Sequence, residues 1–321
     1  MYRIGIDVGG TGIQSGIVTE DGKIIEKVSI RTQIDLPFEK QIRLLAESLK
    51  DLISRAGLQE DDIASIGVGI PGIADAKTGD IIKCTNMNWH NLPFRKELQK
   101  WINKPVLIDN DANVAALAES VAGVSAGSSS SVFITIGTGI GSGIILNGKI
   151  WSGAHGIGGE FGHTIIRLDG DECTCGNHGC LERYCAANAL IRMAKENINA
   201  HPDSLILKYV GNDAGKINAK AVIDAAREND AYAVEVYDYY TSCLAQAIAN
   251  LINFLDPEII AIGGGVSKAG SFLLDPIREK VSHYVLFDTL PMPKIELAKL
   301  GPEAGIIGAA MLDYRRDVHG F

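Results

Sequence analysis

An internal repeat built on a glycine turn constrains the fold of this 321-residue chain more than any other feature. The segments GTGIQSGI at 10–17 and GTGIGSGI at 137–144 differ at one position and start 127 residues apart. Apolar runs flank each glycine turn, so each copy predicts a β-hairpin. The separation is far longer than a solenoid repeat, and we therefore expect two similar lobes, each opening with strand, turn and strand.

The two turns are candidate phosphate-binding segments. Glycine has no Cβ, so backbone N–H groups can approach a ligand closely, and two such turns that face each other would hold a polyphosphate in a cleft between the lobes. Glycine hairpins that bind nothing are also common, and this alternative stays open for either turn alone. The near identity of the two copies favours the binding interpretation.

The rest of the chain predicts strands followed by helices, which is typical of α/β proteins. The predicted helices cover 38–56, 111–122, 181–199, 219–228 and 231–255, with a last helix from about Glu303. Further strands are predicted at 63–70, 106–108 and 258–262, and the last of these leads into Gly263, Gly264 and Gly265. A serine-rich stretch at 123–131 is the clearest linker.

Composition limits the partners of the chain. Thirty basic and thirty-nine acidic residues give a net charge of −9, and no basic run suggests a nucleic-acid footprint. No apolar stretch approaches the ~20 residues that span a bilayer, and the N-terminal residues do not resemble a signal peptide. We therefore expect a cytoplasmic protein without nucleic-acid or membrane partners, whose cysteines are thiols or metal ligands. Cys84, Cys185 and Cys243 are expected to be buried free thiols.

Two carboxylate positions are candidates for chemistry. Asp7 lies in an apolar strand just before the first glycine turn, where Mg²⁺ on a phosphate would offset the cost of burying its charge. The alternative is a cap for N–H groups of the hairpin. Asp111 follows Asn110 where a strand ends and a helix begins, and could accept a proton from a substrate hydroxyl. Helix capping is the alternative there, and adjacent Asp109 leaves the choice within the triplet open.

A P-loop is excluded. Residues 143–149 match G-x-x-x-x-G-K, but Ile150 follows where serine or threonine must hold magnesium. The match also runs into a second strand instead of a helix. Lys149, like Lys23 in the first copy, is interpreted as a solvated turn residue.

One histidine and three cysteines form a candidate metal site between 163 and 180. His163, Cys173, Cys175 and Cys180 supply one imidazole and three thiolates, which suit tetrahedral zinc and leave no open position. Such a closed set indicates a structural role. The spacing is not that of a zinc finger, and His178 and Cys185 are possible substitutes in the ligand set.

These motifs together resemble the ROK family of sugar kinases and repressors, and most of all its glucokinase branch. The resemblance rests on D-x-G-G-T at 7–11, N-D-A-N at 110–113, G-T-G-I-G-S-G at 137–143, G-E-F-G-H at 159–163 and C-x-C-G-x-x-G-C-L-E at 173–182. It implies a two-lobed, actin-like ATPase fold of the ribonuclease-H-like type with an interlobe cleft. We expect residues 1–122 and 303–321 to form the N-terminal lobe, and 123–302 the C-terminal lobe with the zinc site.

The resemblance also implies an activity and a set of site residues. The expected activity is ATP-dependent phosphorylation of the 6-hydroxyl of glucose, with Asp111 as the base. Asn110, Glu160, His163 and Glu182 are expected to contact sugar hydroxyls. The expected nucleotide contacts, to phosphates with Mg²⁺ and to adenosine, come from Asp7, Gly9, Gly10, Thr11, Gly137, Thr138, Gly139, Gly263, Gly264 and Gly265. Similar proteins are usually dimers, so we expect a homodimer or a higher homo-oligomer.

Three alternatives to a glucose kinase stay open. The same hydroxyl-binding residues would serve N-acetylmannosamine or fructose. A non-catalytic sugar sensor would keep the pocket but lose the base, and a zinc hydrolase would need an open metal position. For the zinc, the hypothesis is that one nitrogen of His163 binds the metal and that the other faces the sugar.

Overall fold

The computed structural model describes residues 1–287 and 289–313. Within them, thirteen strands, β1 to β13 in chain order, are Tyr2–Val8, Gly12–Val18, Ile24–Arg31, Ile63–Ile70, Ile73–Asp75, Asp80–Cys84, Trp89–Leu92, Val106–Asn110, Ser130–Ile136, Ile140–Leu146, Lys149–Ile150, Ile259–Gly263 and Lys294–Leu297. The ten α-helices, α1 to α10, are Phe38–Arg55, Phe94–Gln99, Asp111–Ala122, Glu182–Cys185, Ala187–Glu196, Leu205–Tyr209, Ala219–Arg227, Ala231–Leu255, Ser271–Val281 and Ala304–Ala310. No described helix is both long and apolar enough to cross a membrane.

Two five-stranded sheets share one strand order. The first runs β3-β2-β1-β4-β8 and the second β11-β10-β9-β12-β13. In each sheet the two strands that flank the glycine turn are neighbours, and the first of them, β1 or β9, also lies beside a later strand, β4 or β12. In the first sheet β1 pairs antiparallel with β2 and parallel with β4, which pairs parallel with β8. The repeat predicted from the sequence is therefore confirmed as a repeat of sheet topology.

The chain divides into two compact units. Unit 1 comprises residues 1–133, 143–159 and the described residues from Lys299 onward, and unit 2 comprises 134–142 and 160–298. The lobe limits expected from the sequence stay a prediction.

The first sheet of unit 1 is covered on both faces. Its apolar side chains pack with those of α1, among them Ile4, Ile6 and Leu45, which are fully buried. Helix α10 covers the other face so closely that a Cβ added at Gly5 would lie 1.8 Å from the carbonyl oxygen of Ile306. The contact accounts for a glycine in the middle of a buried strand. The last helix, predicted from about Glu303, is thus observed against β1 and β4.

Unit 2 packs around the long helix α8. Tyr237 of this helix stacks on Phe272 of α9 with ring centroids 4.9 Å apart, and the hydroxyl of Tyr240 donates to the carbonyl oxygen of Cys185 at 2.7 Å. The helix predicted over 181–199 is broken at Ala186 into α4 and α5. The break has a physical cause, because the N–H of Ala187 donates to the carbonyl oxygen of Gly137 at 2.9 Å.

Candidate functional site

The first glycine turn joins β1 to β2 and presents two backbone N–H groups. The N–H of Gly9 donates to the carbonyl oxygen of Gly12 at 2.9 Å, and the Thr32 hydroxyl donates to the carbonyl oxygen of Gly9 at 2.7 Å. Gly10 and Thr11 are exposed, and the described part of the chain offers no acceptor for their N–H groups. The turn can therefore donate two N–H groups to an anion.

Asp7 is the second-last residue of β1, two positions before Gly9 of this turn. Its carboxyl group packs against α10, where a Cβ added at Gly305 would lie 2.6 Å from the carboxyl carbon. Burial raises the pKa of Asp7 above its ordinary value. No ion pair that involves Asp7 is found among the described residues, so burial of its charge is not offset by a basic side chain. A carboxylate in this state is suited to bind a cation that arrives with a ligand.

The triplet at the end of β8 contains two aspartates with different environments. Asp109 is buried, and its Oδ1 accepts hydrogen bonds from the Asn113 side chain at 2.9 Å and from the Asn110 N–H at 2.8 Å. Asp111 is partly exposed at the first residue of α3, and its Oδ1 accepts from the N–H of Ala112 at 2.9 Å. The accessible carboxylate is therefore that of Asp111, while Asp109 holds the start of the helix.

Asn110 caps helix α3. Its Oδ1 accepts from the N–H groups of Ala112 and Asn113 at 2.8 and 3.3 Å, and its Nδ2 donates to the carbonyl oxygen of Gly72 at 3.1 Å. The capping interpretation of Asn110 is thus observed. A primary amide carries two N–H bonds, so a substrate oxygen could accept the second one without loss of the cap.

The second glycine turn joins β9 to β10 in unit 2. The N–H of Gly137 donates to the carbonyl oxygen of Gly139 at 2.9 Å, and Thr138 between them is exposed. Gly263 ends β12, which neighbours β9, and Gly264 and Gly265 follow it. A Cβ added at Gly264 would lie 2.5 Å from the carbonyl oxygen of Ile136. The structure therefore brings together the two glycine segments of unit 2 that were predicted to contact nucleotide.

The four predicted metal ligands converge in unit 2. The ligand atoms of His163, Cys173, Cys175 and Cys180 all lie within 4.8 Å of one another. Nδ1 of His163 is 3.8 Å from the sulfur of Cys173, and the sulfurs of Cys175 and Cys180 are 3.6 Å apart. His178 and Cys185, the possible substitutes, lie outside this group of described residues.

The chemistry of this group fits a divalent cation. Burial and the neighbouring thiols raise the pKa of Cys180 to about 12, so a thiolate at this position needs a positive charge beside it. One imidazole and three sulfurs at this separation suit a tetrahedral zinc ion. Nδ1 is the nitrogen of His163 that faces the sulfurs, which leaves Nε2 for another partner.

The loop that carries these ligands depends on close backbone packing. Gly179 has φ of 76° and approaches Arg167 so closely that a Cβ would lie 1.6 Å from the Arg167 carbonyl oxygen. The guanidinium of Arg167 lies over the rings of Tyr184 and Tyr239, 5.4 and 5.2 Å from their centroids. The loop is therefore fixed to α4 and α8.

The predicted sugar contacts Glu160 and Glu182 differ in their surroundings. Glu160 is exposed at the start of the short 3-10 helix Phe161–His163. Glu182 is half-buried, and its Oε2 accepts a hydrogen bond from the N–H of Ile140 at 2.8 Å, next to the second glycine turn. Sequence reasoning missed this bond because no local pattern relates two residues that are 42 positions apart.

Comparison with known proteins agrees with these motifs. The ROK family model matches residues 3–316. The chain is similar to the glucokinase of Thermotoga maritima, with 37% identity over 96% of each chain. It is also similar to the glucokinase of Halalkalibacterium halodurans, with 40% identity over 97% of this chain and 94% of that one.

A solved structure has a closely similar fold. It is a ROK family glucokinase from Streptomyces griseus in complex with glucose and AMPPNP, which is 32% identical with a TM-score of 0.80 over 97% of this chain and 99% of that one. The fold class expected from the sequence, an α/β actin-like ATPase fold of the ribonuclease-H-like type, is confirmed.

Proposed function

The chain belongs to the ROK family, and on this premise we propose that it is an ATP-dependent kinase that phosphorylates the 6-hydroxyl of glucose. The observation that carries the proposal is the similarity over nearly the whole length to glucokinases, one of which was solved with glucose and an ATP analogue.

Asp111 is the proposed base. Phosphoryl transfer to an alcohol requires mainly positioning and charge stabilisation, so the carboxylate orients the sugar hydroxyl and accepts its proton late in the reaction. The placement of Asp111 at the N-terminus of a buried twelve-residue helix supports this role, because the helix fixes the carboxylate relative to the sheet. Asn110, Glu160, His163 and Glu182 are proposed to bind the other sugar hydroxyls.

The two glycine turns are proposed to bind the phosphates of ATP. The exposed N–H groups of Gly10, Thr11 and Thr138 are the donors, together with that of Gly139. Asp7 would hold Mg²⁺, which neutralises charge on the phosphates when it is bound. Gly263, Gly264 and Gly265 are proposed to lie against adenosine.

The four-residue cluster is proposed to hold a structural Zn²⁺. His163, Cys173, Cys175 and Cys180 supply a complete tetrahedral set, which disfavours a zinc hydrolase because no position is left for an activated water. Through Nδ1 the site would fix the His163 ring so that Nε2 faces the sugar. We further propose that the protein acts in the cytoplasm as a homodimer or a higher homo-oligomer.

A hexose panel tests the proposed reaction. ADP release would be measured with glucose, fructose and N-acetylmannosamine, with Mg²⁺ and ATP held constant. We expect the highest kcat/KM with glucose. A higher value with fructose or N-acetylmannosamine would transfer the assignment to that sugar, and no ADP release with any hexose would favour a non-catalytic sugar sensor.

A further inference from the structure

The second glycine turn is held at both ends by one short segment. The Glu182 side chain accepts from the N–H of Ile140 at 2.8 Å, and the N–H of Ala187 donates to the carbonyl oxygen of Gly137 at 2.9 Å. These two anchors lie at the start of α4 and at the start of α5. The break between the two helices therefore coincides with the anchor on Gly137.

The Glu182 carboxylate is in direct contact with the turn. A Cβ added at Gly139 would lie 2.3 Å from Oε2 and 3.8 Å from Oε1. A Cβ at position 139 would therefore require the Glu182 carboxylate to move away from the turn. Among the described residues, Oε1 of Glu182 has no hydrogen-bond donor.

We propose that Glu182 is a positioning residue for nucleotide, acting through the Gly137–Gly139 turn in addition to its proposed contact with the sugar. The inference rests on the proposed function, since it takes this turn as the one that binds phosphates. It goes beyond that function because it assigns a nucleotide effect to a residue of the sugar site.

The hydrogen bonds of the turn explain how the effect arises. Of the four N–H groups at 137–140, that of Gly137 is used within the turn and that of Ile140 is used by Glu182. The described part of the chain has no acceptor for the N–H groups of Thr138 and Gly139, so these two remain for an anion. By holding Ile140, Glu182 orders the turn before nucleotide binds, and an ordered donor pair loses less entropy on binding.

The first turn contains a comparable brace of different chemistry. There the Thr32 hydroxyl bonds the carbonyl oxygen of Gly9, and the Thr32 N–H donates to the carbonyl oxygen of Thr11 at 3.3 Å. Thr32 lies just after β3 and is not among the sugar candidates. The second turn is the one braced by a residue that can also contact sugar, so a sugar hydroxyl on Oε1 and the turn on Oε2 would share one carboxylate.

Nucleotide binding in the absence of sugar tests this inference. Isothermal titration with Mg²⁺ and AMPPNP would compare the wild type with Glu182→Ala, Glu182→Gln and Glu160→Ala. We expect Glu182→Ala to raise the Kd about tenfold, which corresponds to ~1.4 kcal/mol. Glu182→Gln should stay within about threefold of wild type, because its amide oxygen still accepts from the Ile140 N–H. Glu160→Ala is the matched control, since it removes a sugar candidate without a bond to the turn, and its Kd for AMPPNP should not change.

A purely sugar-binding role for Glu182 gives a different result. The inference is overturned if Glu182→Ala binds AMPPNP without sugar as tightly as the wild type does. If Glu182→Ala does not fold, Glu182→Asp replaces it, because the shorter side chain withdraws the carboxylate from the turn by one methylene. Glu182→Asp should show the same rise in the Kd for AMPPNP, and an unchanged Kd overturns the inference. Failure of the proposed function is distinguishable, because it is read from wild-type ADP release with the hexose panel and not from the titration.

Discussion

Asp7 and Asp109 lie in one row across the first sheet, with Gly69 between them. Asp7 of β1 pairs with Gly69 of β4, which pairs with Asp109 of β8, and all three strands are parallel. Side chains in register on parallel strands project from the same face, so the two carboxylates are separated by about two strand spacings, roughly 10 Å. Val114 of α3 fills the space beside Gly69, 2.7 Å from an added Cβ. The two carboxylates therefore lie apart, each near the C-terminal end of its strand.

Asp7→Asn should stabilise the ligand-free protein and impair catalysis. Because burial raises the pKa of Asp7, the folded protein binds a proton more tightly than the unfolded chain does. The free energy of unfolding therefore falls as pH rises from the ordinary aspartate pKa through the raised pKa of Asp7. At pH 7 the ionised, buried carboxylate destabilises the folded protein. We expect a higher unfolding temperature for Asp7→Asn at pH 7 without Mg²⁺ and nucleotide, and a smaller difference near pH 4.

Asp75→Asn is the contrasting variant. The Lys77 N–H donates to Asp75 at 2.8 Å and lowers the pKa of this exposed carboxyl group. Its contribution to stability is present above the ordinary aspartate pKa and is lost as pH falls, so this variant should not gain stability at pH 7. Equal unfolding temperatures for Asp7→Asn and wild type at pH 7 would contradict the assignment of a buried ionised carboxylate.

Asp111→Asn should fold and bind glucose but lose turnover. The amide is nearly the same shape and its oxygen can still accept from the Ala112 N–H, yet it cannot accept the proton of the sugar hydroxyl. A positioned base typically contributes about 10²–10⁴-fold, and we expect kcat to fall by that factor. Glucose affinity, measured by titration without nucleotide, is the control, and near-normal kcat would assign the base elsewhere.

The sequence predicted the elements whose patterns are local. Strand Ile63–Ile70 and helices Asp111–Ala122 and Ala231–Leu255 have the predicted bounds, because apolar periodicity, caps and the following proline mark both ends. The repeated turn predicted the repeated sheet order. Cys84, Cys185 and Cys243 are buried, as expected from their apolar or helical surroundings. The four metal-ligand candidates converge, as expected from their spacing.

The elements that the sequence did not predict have weak local patterns or depend on a distant contact. The small sheet β5-β6-β7 was not predicted, since its strands are short and half-exposed, and neither was α9, which contains Pro276. The break in the helix predicted over 181–199 comes from a hydrogen bond to Gly137. At the site, sequence reasoning left Asp109 and Asp111 as alternatives, and burial separates them.

Of two glycine substitutions, one should lower the stability of the fold and the other should weaken nucleotide binding. A Cβ at Gly67 would lie 1.7 Å from the carbonyl oxygen of Ala309, so Gly67→Ala must displace α10 and should destabilise the protein by about 1–3 kcal/mol. A Cβ at Gly137 has no neighbour within 4 Å, so Gly137→Ala should fold normally. Its methyl group would lie beside the N–H donors, and we expect at least a tenfold rise in the Kd for AMPPNP. Wild-type affinity in Gly137→Ala would exclude this turn from phosphate binding.

Loss of the proposed zinc should weaken glucose binding. Cys175 is the exposed member of the cluster, so Cys175→Ser removes one ligand with little change in core packing. We expect about one zinc per chain in the wild type by metal analysis, less in the variant, and a higher Kd for glucose, because His163 is no longer held. Cys243→Ser is the control for loss of a thiol outside the cluster. If Cys175→Ser loses zinc but keeps its glucose affinity and turnover, the proposed role of the metal is wrong.

Glu119 should contribute more to stability than any neutral hydrogen bond on the same helix. Its side chain is fully buried, and its carboxylate accepts from the N–H groups of Val124 at 2.8 Å and of Lys299 and Leu300, both at 2.9 Å. These bonds join the end of α3 to the segment that precedes α10. In Glu119→Gln the amide can keep two of the donors on its oxygen, but its NH₂ group then faces a third N–H, and an unsatisfied buried donor costs about 1–3 kcal/mol.

Ser120, the next residue of α3, is the reference for this loss of stability. Ser120→Ala removes one buried bond, from the serine hydroxyl to the carbonyl oxygen of Leu117 at 2.9 Å, and should lower the free energy of unfolding by about 0.5–1.5 kcal/mol. Glu119→Ala, which leaves three donors without their acceptor, should lose more than Glu119→Gln, and Glu119→Gln more than Ser120→Ala. Urea unfolding followed by circular dichroism gives this order. Equal losses for Glu119→Ala and Ser120→Ala would mean that water or a backbone shift replaces the carboxylate, and that Glu119 does not hold the two segments together.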